Sequence, residues 1–547
     1  MGQDLKYRKL YHEIKENILV GAYPLDETLP SIRKLSSSLH LSKTTIENAY
    51  NQLLLEGYVY AIQGVGYYAN QLARTHNLES QVGYDSPDNY DNLAVYDSID
   101  NSAGLKSPDR LSSLNGLQPD GNQRDDRERI SRLHSKNNQI EYIEEDGHKY
   151  IADMASTKIY DFRREYVDSE AFDMRVWKRH INHVLTNMSD QLILPVDDAG
   201  EMSLRRAIAQ YIYLARGIEV ISEDIYIDAG IQSLLTKLIA IIRPSIDGLA
   251  IEDPGFSKVR DLFEYHGCPI NPVPLTRDGI DMKVLRHLSK QVCYVSPAHQ
   301  FPTGKVMQIE NRYQLMNWAN ESDSYILEDD YNAELRYDLF PVPSLKSMDQ
   351  KDRVIYLGSF STYLLPAIRI SYIILPKGLQ EAFQHVRYAG SASKLEQLAF
   401  AHMIETGDYR RHINRMKKHY AKKTDYIHQV LVKELKGLGT IIKNQSGLNV
   451  LIRLDKLEQL GKGEEERLSI ESFEKDIIIR AREQGIHISG LHEYTYASAY
   501  AGANESAHVS VYEGVEAPTL VLNYRGIEID VIESAIHRLK EIFEVIS

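Results

Sequence analysis

Ser42, Lys43, Thr44 and Thr45 stand in a row just ahead of an apolar repeat at helical spacing, Ile46, Ala49, Tyr50 and Leu53. Short hydroxyl side chains and an ammonium at the start of a helix are the groups that meet base edges and phosphates. Upstream, Ser31 precedes Ile32 and Arg33 and can cap a second helix. The free N–H groups of that helix start, with the Arg33 guanidinium beside them, suit a phosphate oxygen. Two cysteines, Cys268 and Cys293, are too few for a disulfide framework and are not spaced as a CxxC metal site. No metal centre is expected, and a reducing compartment is.

These side chains need a scaffold, and the flanking pattern supplies one. Leu10, Ile14 and Ile18 repeat every four residues and predict a first helix that stops near Gly21. Pro24 and Pro30 confine the next stretch to a turn, after which Ser31–Leu39 reads as the second helix. The third opens at Ser42 and ends at Gly57, with Lys43, Thr44, Thr45 and Asn48 on or near the face opposite its apolar residues. Two strand-like runs, Val59–Gln63 and Tyr67–Ala69, are joined by Gly64-Val65-Gly66 as a hairpin. Three helices and a hairpin make a winged helix-turn-helix. Its expected DNA contacts are Ser31, Arg33, Ser42, Lys43, Thr44, Thr45, Gly64 and Gly66. A small helical domain used for protein contact is the bland alternative.

The chain of 547 residues carries 63 Lys and Arg against 77 Asp and Glu, a net charge of −14, which argues against nucleic-acid binding by bulk charge. The distribution matters more. Residues 1–75 hold eight basic and seven acidic residues, whereas residues 76–158 hold nine and sixteen. Residues 76–158 are rich in Asp, Asn, Ser and Gly with few large apolar residues, so they read as an extended acidic linker with one short helix over Arg124–Leu133. From Ile159 to residue 547, strand-like runs alternate with amphipathic helical patterns, the signature of an α/β domain. The first twenty residues lack the apolar core of an export signal, and no run approaches about 20 apolar residues. A soluble, cytoplasmic protein without a membrane partner is expected.

Two sets of motifs carry a family resemblance. LPSIRKL, SKTTIENAY and LEGYVYAIQGVG resemble a GntR-type DNA-binding domain over essentially its whole length. DAGIQSLLTKL, IEDPGFSKVR, YVSPAHQFPTG, LEDDYNAELRYD and YLGSFSTYLLPAIRISYIILP follow in the order of a fold-type I aminotransferase domain. Together, over about 1–75 and 159–547, the chain resembles the MocR/GabR class of pyridoxal-phosphate-dependent regulators. That resemblance implies a mixed, mainly parallel sheet with flanking helices, a homodimer, and a pocket for pyridoxal 5′-phosphate. It assigns Gly230, ahead of Gln232, to the phosphate cradle at a helix start. Phe256 would stack on the ring, Asp329 would pair with the pyridine nitrogen, and Tyr331 would reach the ring oxygen. Ser359, Ser361 and Arg369 would flank the phosphate.

Two departures change the expected function. Relatives read S-K-x-x-x-P-x-x-R where this chain reads Ser361-Thr362-Tyr363-Leu364-Leu365-Pro366-Ala367-Ile368-Arg369, so Thr362 occupies the Schiff-base lysine position. A hydroxyl cannot form an imine. Relatives also carry a carboxylate-clamping arginine in a segment like L-R-L-G-F; here Leu520-Val521-Leu522-Asn523-Tyr524 puts Val521 there, with Arg525 close by. Lys394 lies in a segment that the resemblance places near the partner's pocket, where a substitute amine is conceivable and a solvated lysine is the plainer reading. The chain is expected to be a regulator that binds operator DNA, with no catalytic residue. Its aminotransferase-like domain would dimerise and sense a small molecule, either pyridoxal phosphate held non-covalently or an amine or amino-acid metabolite. The alternative is an active aminotransferase with a DNA-binding appendage.

Overall fold

The computed structural model describes residues 2–546 other than 25–26, 40, 56–57, 63–65, 70–158, 164–166, 169, 333, 335–342, 387–391, 443–446, 455–463 and 497–516. The expected linker 76–158, the short helix over Arg124–Leu133 and the wing residue Gly64 lie outside the described residues, as does the side chain of Thr44. The repeat of Leu10, Ile14 and Ile18 forms α1 (Gly2–Leu19), and α2 (Ile32–Leu39) and α3 (Lys43–Leu55) follow it. Strands β1 (Val59–Ile62) and β2 (Gly66–Ala69) pair antiparallel, Val59 opposite Ala69. The apolar residues of α1 and α3 close on one another, with Ile18, Ile46, Ala49, Tyr50 and Leu53 fully buried. Tyr50 also ties the turn before α2 to this core: its hydroxyl donates to the Pro30 carbonyl at 2.5 Å and its ring stacks on Tyr67 at 4.4 Å.

The large domain begins with β3 (Tyr160–Asp161) and is organised on a seven-stranded sheet of order β4-β10-β9-β8-β7-β5-β6. Its strands are β4 (Ile225–Asp228), β5 (Gly248–Asp253), β6 (Ile270–Pro274), β7 (Gln291–Val295), β8 (Tyr325–Asp329), β9 (Val354–Ser359) and β10 (Ser371–Ile374). All run the same way except β10, which pairs antiparallel with both β4 and β9. Near-continuous burial of these strands reflects a sheet covered on both faces. Strict alternation divides them: Leu249, Ile251, Val292, Tyr294, Leu327 and Ile355 enter one apolar core, and Ala250, Cys293, Val295, Ile326 and Val354 enter the other.

Helix α4 (Ile231–Ile242) follows β4, α5 (Ile309–Glu321) lies between β7 and β8, and α6 (Asp408–Glu434) leads to a second sheet. That sheet is antiparallel, of order β11-β12-β15-β14, from β11 (Thr440–Ile442), β12 (Asn449–Arg453), β14 (Ser489–Gly490) and β15 (Thr519–Asn523). Strand β13 (Ile486–His487) pairs instead with β3. Among the described residues no helix is long and apolar enough to cross a membrane.

Candidate functional site

The side of the winged helix expected to face DNA is built from helix starts. Ser31 accepts a hydrogen bond from the Lys34 amide at 3.2 Å and so caps α2, leaving Arg33 exposed on its first turn. Ser42 caps α3 by accepting from the Thr45 amide at 3.1 Å, and Lys43 is exposed. Thr45 departs from expectation. Its hydroxyl lies 2.7 Å from the Ser42 hydroxyl and its side chain is buried, because position three after the cap turns back over the helix start toward the core. Thr45 completes the cap and is not offered to a base edge. Gly66 is favoured by its backbone, with φ near +148°, while a Cβ there would meet the Thr28 methyl at an ordinary contact distance of 3.4 Å.

In the large domain, the carboxyl ends of β4, β5, β7, β8 and β9 and the start of β10 share one edge of the sheet, the edge at which doubly wound sheets bind ligands. Most of the pocket residues expected from the sequence are on it. Gly230 caps α4 with φ near +100°, and a Cβ built on it would lie 2.5 Å from Nη2 of Arg369. The guanidinium therefore packs on the glycine where the helix N–H groups open. Gln232 is exposed on the first turn of α4. Ser359 accepts from the Ser371 hydroxyl at 2.9 Å, which leaves its own proton for an anion. Ser361 is different: its hydroxyl donates to the Ile368 carbonyl at 2.9 Å, so its one donor closes the 361–368 loop and is not available to a phosphate.

Asp329 ends β8 and is buried, with the Tyr294 hydroxyl donating to its Oδ2. Burial and the Asp329 charge hold the Tyr294 phenol well above its ordinary range. Tyr331 is buried two residues on; the Phe256 ring meets it edge-on at 4.9 Å and lies parallel to Phe301 at 4.6 Å. Thr362 is half-buried in a loop that its neighbour fixes. The Tyr363 hydroxyl donates to the Tyr331 carbonyl at 2.9 Å, and the Tyr363 carbonyl lies 2.5 Å from Nε2 of His412 on α6. Glu252 is buried near Asp329, and burial pushes its carboxyl up to about 8.

Beneath this loop sits a buried ionic cluster that no sequence motif announced. Arg216 Nε bonds Asp330 Oδ2 at 2.6 Å and Nη2 lies 3.5 Å from Glu334, which Lys417 also approaches at 3.4 Å. Burial opposes the charge on Arg216, but the two carboxylates outweigh it and raise its pKa. Tyr294, Phe301 and Tyr363 were likewise missed, although YVSPAHQFPTG and STYLLP contain them.

Val521 is buried with Leu451 and Leu491, alongside Tyr494, whose ring meets Phe301 edge-on at 4.9 Å. The second sheet thus turns an apolar face toward the Phe301–Phe256 pair. Arg525 is not brought there: it is buried against Tyr420 of α6, and its carbonyl accepts from Lys423 at 2.9 Å. Lys394 is not a freely solvated lysine, since its Nζ is held by the Pro195 carbonyl at 2.8 Å and by Glu201 at 3.4 Å. Among the described residues no group of three or more His, Cys, Asp or Glu is placed to hold a metal ion.

Comparison with known proteins agrees with both halves. Residues 6–68 match the model of bacterial regulatory proteins of the gntR family, and residues 165–501 match that of aminotransferase class I and II. A Bacillus subtilis (strain 168) protein named Uncharacterized HTH-type transcriptional regulator YdeL is 32% identical over 484 residues, covering 88% of each chain. The probable rhizopine catabolism regulatory protein MocR of Rhizobium meliloti is 26% identical over 495 residues, 90% of this chain and 87% of that one. In fold, the large domain is similar to Pyrococcus horikoshii kynurenine aminotransferase, solved in complex with PMP, at a TM-score of 0.59 and 21% identity over 71% of this chain and 91% of that one. The multiple substrate aminotransferase of Thermococcus profundus gives 0.60 and 22% over 72% and 92%. With a gntR-type reader before a class I and II aminotransferase domain, and relatives matched along nearly their whole length, the chain belongs to the MocR-like family of HTH-type transcriptional regulators.

Proposed function

We propose that this chain binds operator DNA in the cytoplasm through α2, α3 and the wing, and that its aminotransferase-like domain dimerises and senses a small molecule without turning it over. The observation that carries the second half is Thr362. It occupies the loop between Ser359 and Arg369, and the Tyr363 hydrogen bonds pin that loop to Tyr331 and α6. The side chain at that position is a hydroxyl, which cannot form an imine.

Pyridoxal phosphate fits the residues that remain. The Gly230 cradle exists only while no Cβ fills it, and the Asp329 carboxylate is buried and held by Tyr294 at the strand end. Arg369, the first N–H groups of α4, Ser359 and the amide of Gln232 would hold the phosphate. Phe256 would cover the ring, Asp329 would face its nitrogen and Tyr331 its oxygen. When bound, the cofactor supplies an aldehyde that reacts with amines. This chain's residues would bind and orient it, and the Thr362 hydroxyl cannot take the role of the lysine. The apolar face of Val521, Leu451 and Leu491 would exclude water from the other end of the pocket, and it offers no cation to a ligand carboxylate. Exposed Ile193 and Leu194, beside the segment that binds Lys394, support a homodimer that covers them.

The test has two arms on the full chain. A duplex from upstream of its own gene should be retarded at low salt. After incubation with pyridoxal phosphate and borohydride, peptide mapping should find no pyridoxyl-labelled lysine. A labelled lysine together with turnover of an amino donor would establish instead the active aminotransferase with a DNA-binding appendage.

A further inference from the structure

Among the described residues, the buried core of the winged helix includes one residue from outside it. Ile309, the first residue of α5, is 1% exposed and belongs to the same buried cluster as Leu10, Ile14, Tyr58 and Val59, with Tyr313 and Met348 packed against it. Neighbours on the same helix go elsewhere: Met307 just before it and Leu315 within it belong to the core under the large sheet. Helix α5 thus has two apolar faces, and the pair Ile309 and Tyr313, one turn apart, faces the winged helix. The contact also has polar specificity. The hydroxyls of Tyr58 and Tyr313 are hydrogen-bonded, and Lys15 on α1 lies over the Tyr58 ring at 4.9 Å. With the winged helix in this position, Ser31, Arg33, Ser42 and Lys43 are all exposed. The seat therefore covers a side of the head that does not carry the expected DNA contacts.

The seat is also fastened to the pocket. Arg312 is 1% exposed and spends its guanidinium on three carbonyls: Met307 at 2.9 Å, Pro297 at 3.2 Å and Pro343 at 2.5 Å. The first two bracket the loop that carries His299, Gln300 and Phe301. The third precedes the short helix Leu345–Met348, which ends in the Met348 of the seat.

We propose that the face formed by Ile309, Tyr313 and Met348 is the seat from which the winged helix reads DNA, so that the docked head is the DNA-competent state and not a stored, inactive one. This deepens the reading of the chain as a DNA-binding regulator and rests on it. Docking onto a rigid helix fixes the direction in which the reader residues point, which removes an orientational cost from binding.

The test uses the full chain with Lys15→Cys and Asn317→Cys. Asn317 is exposed one turn beyond Tyr313, so Ile309, Tyr313 and Met348 are left intact, and the Lys15 contact with Tyr58 is lost equally in the linked and the capped protein. The native Cys268 and Cys293 are buried and compete little for reagent. A flexible bis-maleimide should link the two sites, and adding Ile309→Asp should cut the yield severalfold. Linked protein should bind the upstream duplex within about threefold of singly capped, unlinked protein. Absence of a link, or a loss of more than about tenfold on linking, would overturn the proposal. If the unlinked protein does not bind either, the DNA-binding reading falls and takes this one with it; binding by the unlinked form alone sinks only the seat. Should the double variant fail to accumulate, Tyr313→Phe gives the sign by itself. Loosening a competent seat weakens DNA binding, whereas loosening a store leaves it equal or tighter.

Discussion

The two ends of the large-domain pocket differ in kind. At one end Gly230, Arg369, Ser359 and the start of α4 form a cradle of donors with no room for an added carbon. At the other end Thr362 brings no amine, and Val521, Leu451 and Leu491 make an apolar wall. Gripping a phosphate and reacting with an aldehyde are separable tasks for separate residues: groups suited to the first remain in Gly230, Arg369 and Ser359, with Ser361 spent on the Ile368 carbonyl, while the second has a hydroxyl where an amine would be needed. A regulator needs occupancy to change with ligand concentration, and it gains nothing from turnover.

The largest expected effect comes from returning chemistry to the inert end. Thr362→Lys places an amine in a loop already anchored by Tyr363. With added pyridoxal phosphate it should gain a visible absorbance band and, after borohydride, a labelled peptide containing position 362, where the parent chain gives neither. No band despite a folded variant would mean that the cradle no longer takes this cofactor, and the contrast between the two ends would collapse.

Gly230→Val attacks the other end. The new Cβ would meet Nη2 of Arg369 at 2.5 Å, on a backbone with φ near +100° that side chains rarely adopt. Losing the cradle and the Arg369 contact together should weaken pyridoxal phosphate binding by on the order of a hundredfold or more in equilibrium dialysis. DNA retardation without ligand should be unchanged. Binding that survives this substitution would place the ligand elsewhere.

Much of this arrangement is legible in the sequence where the signal is local. Ser31 and Ser42 read as caps because a cap acts on amides within three residues, and Gly230 reads as a helix start for the same reason. Thr45 was misjudged because a polar residue three positions after a cap can turn inward to complete it. The missed groups depend on sheet register. Tyr294 reaches Asp329 because β7 lies beside β8 with Tyr294 opposite Leu327, two residues before the carboxylate. Nothing in the spacing of Tyr294 and Asp329 along the chain contains that adjacency. Arg525 is the converse case. It is near Val521 in sequence, but β15 ends at Asn523, and the turn carries the guanidinium to α6.

Glu252 tests the electrostatics of the built end. Its folded carboxyl titrates at about 8 because it is buried, and the nearby Asp329 adds to the shift. An unfolded glutamate titrates near about 4.3. Between these values the unfolded chain has released the proton and the folded chain keeps it. The residue's contribution is therefore most favourable below about pH 4.3, declines as pH rises to about 8, and is flat above that. Glu252→Gln keeps the shape and removes the titration. It should raise stability at pH 8 by roughly 2–4 kcal/mol, with little change at pH 5, read as a difference between melting temperatures at the two values. Equal shifts at both pH values would mean that Glu252 is not the group holding this proton.

The smallest effect belongs to the reader, and it separates the two domains most directly. Lys43 is exposed at the first turn of α3 and has no part in the pocket. If it neutralises one phosphate, Lys43→Ala should weaken DNA binding severalfold at moderate salt and lower the salt slope by about one counterion per head, uniformly across sequences. Ser42→Ala should behave differently. It removes the cap that also orders Thr45, so its cost falls first on helix stability, about 1 kcal/mol, and on DNA only through the loosened helix start. A Lys43→Ala chain with an unchanged salt slope would move the phosphate contact to Arg33 or Lys34, the exposed cations at the start of α2. The division of labour between reader and pocket would survive that result; the assignment of α3 as the element lying along the DNA backbone would not.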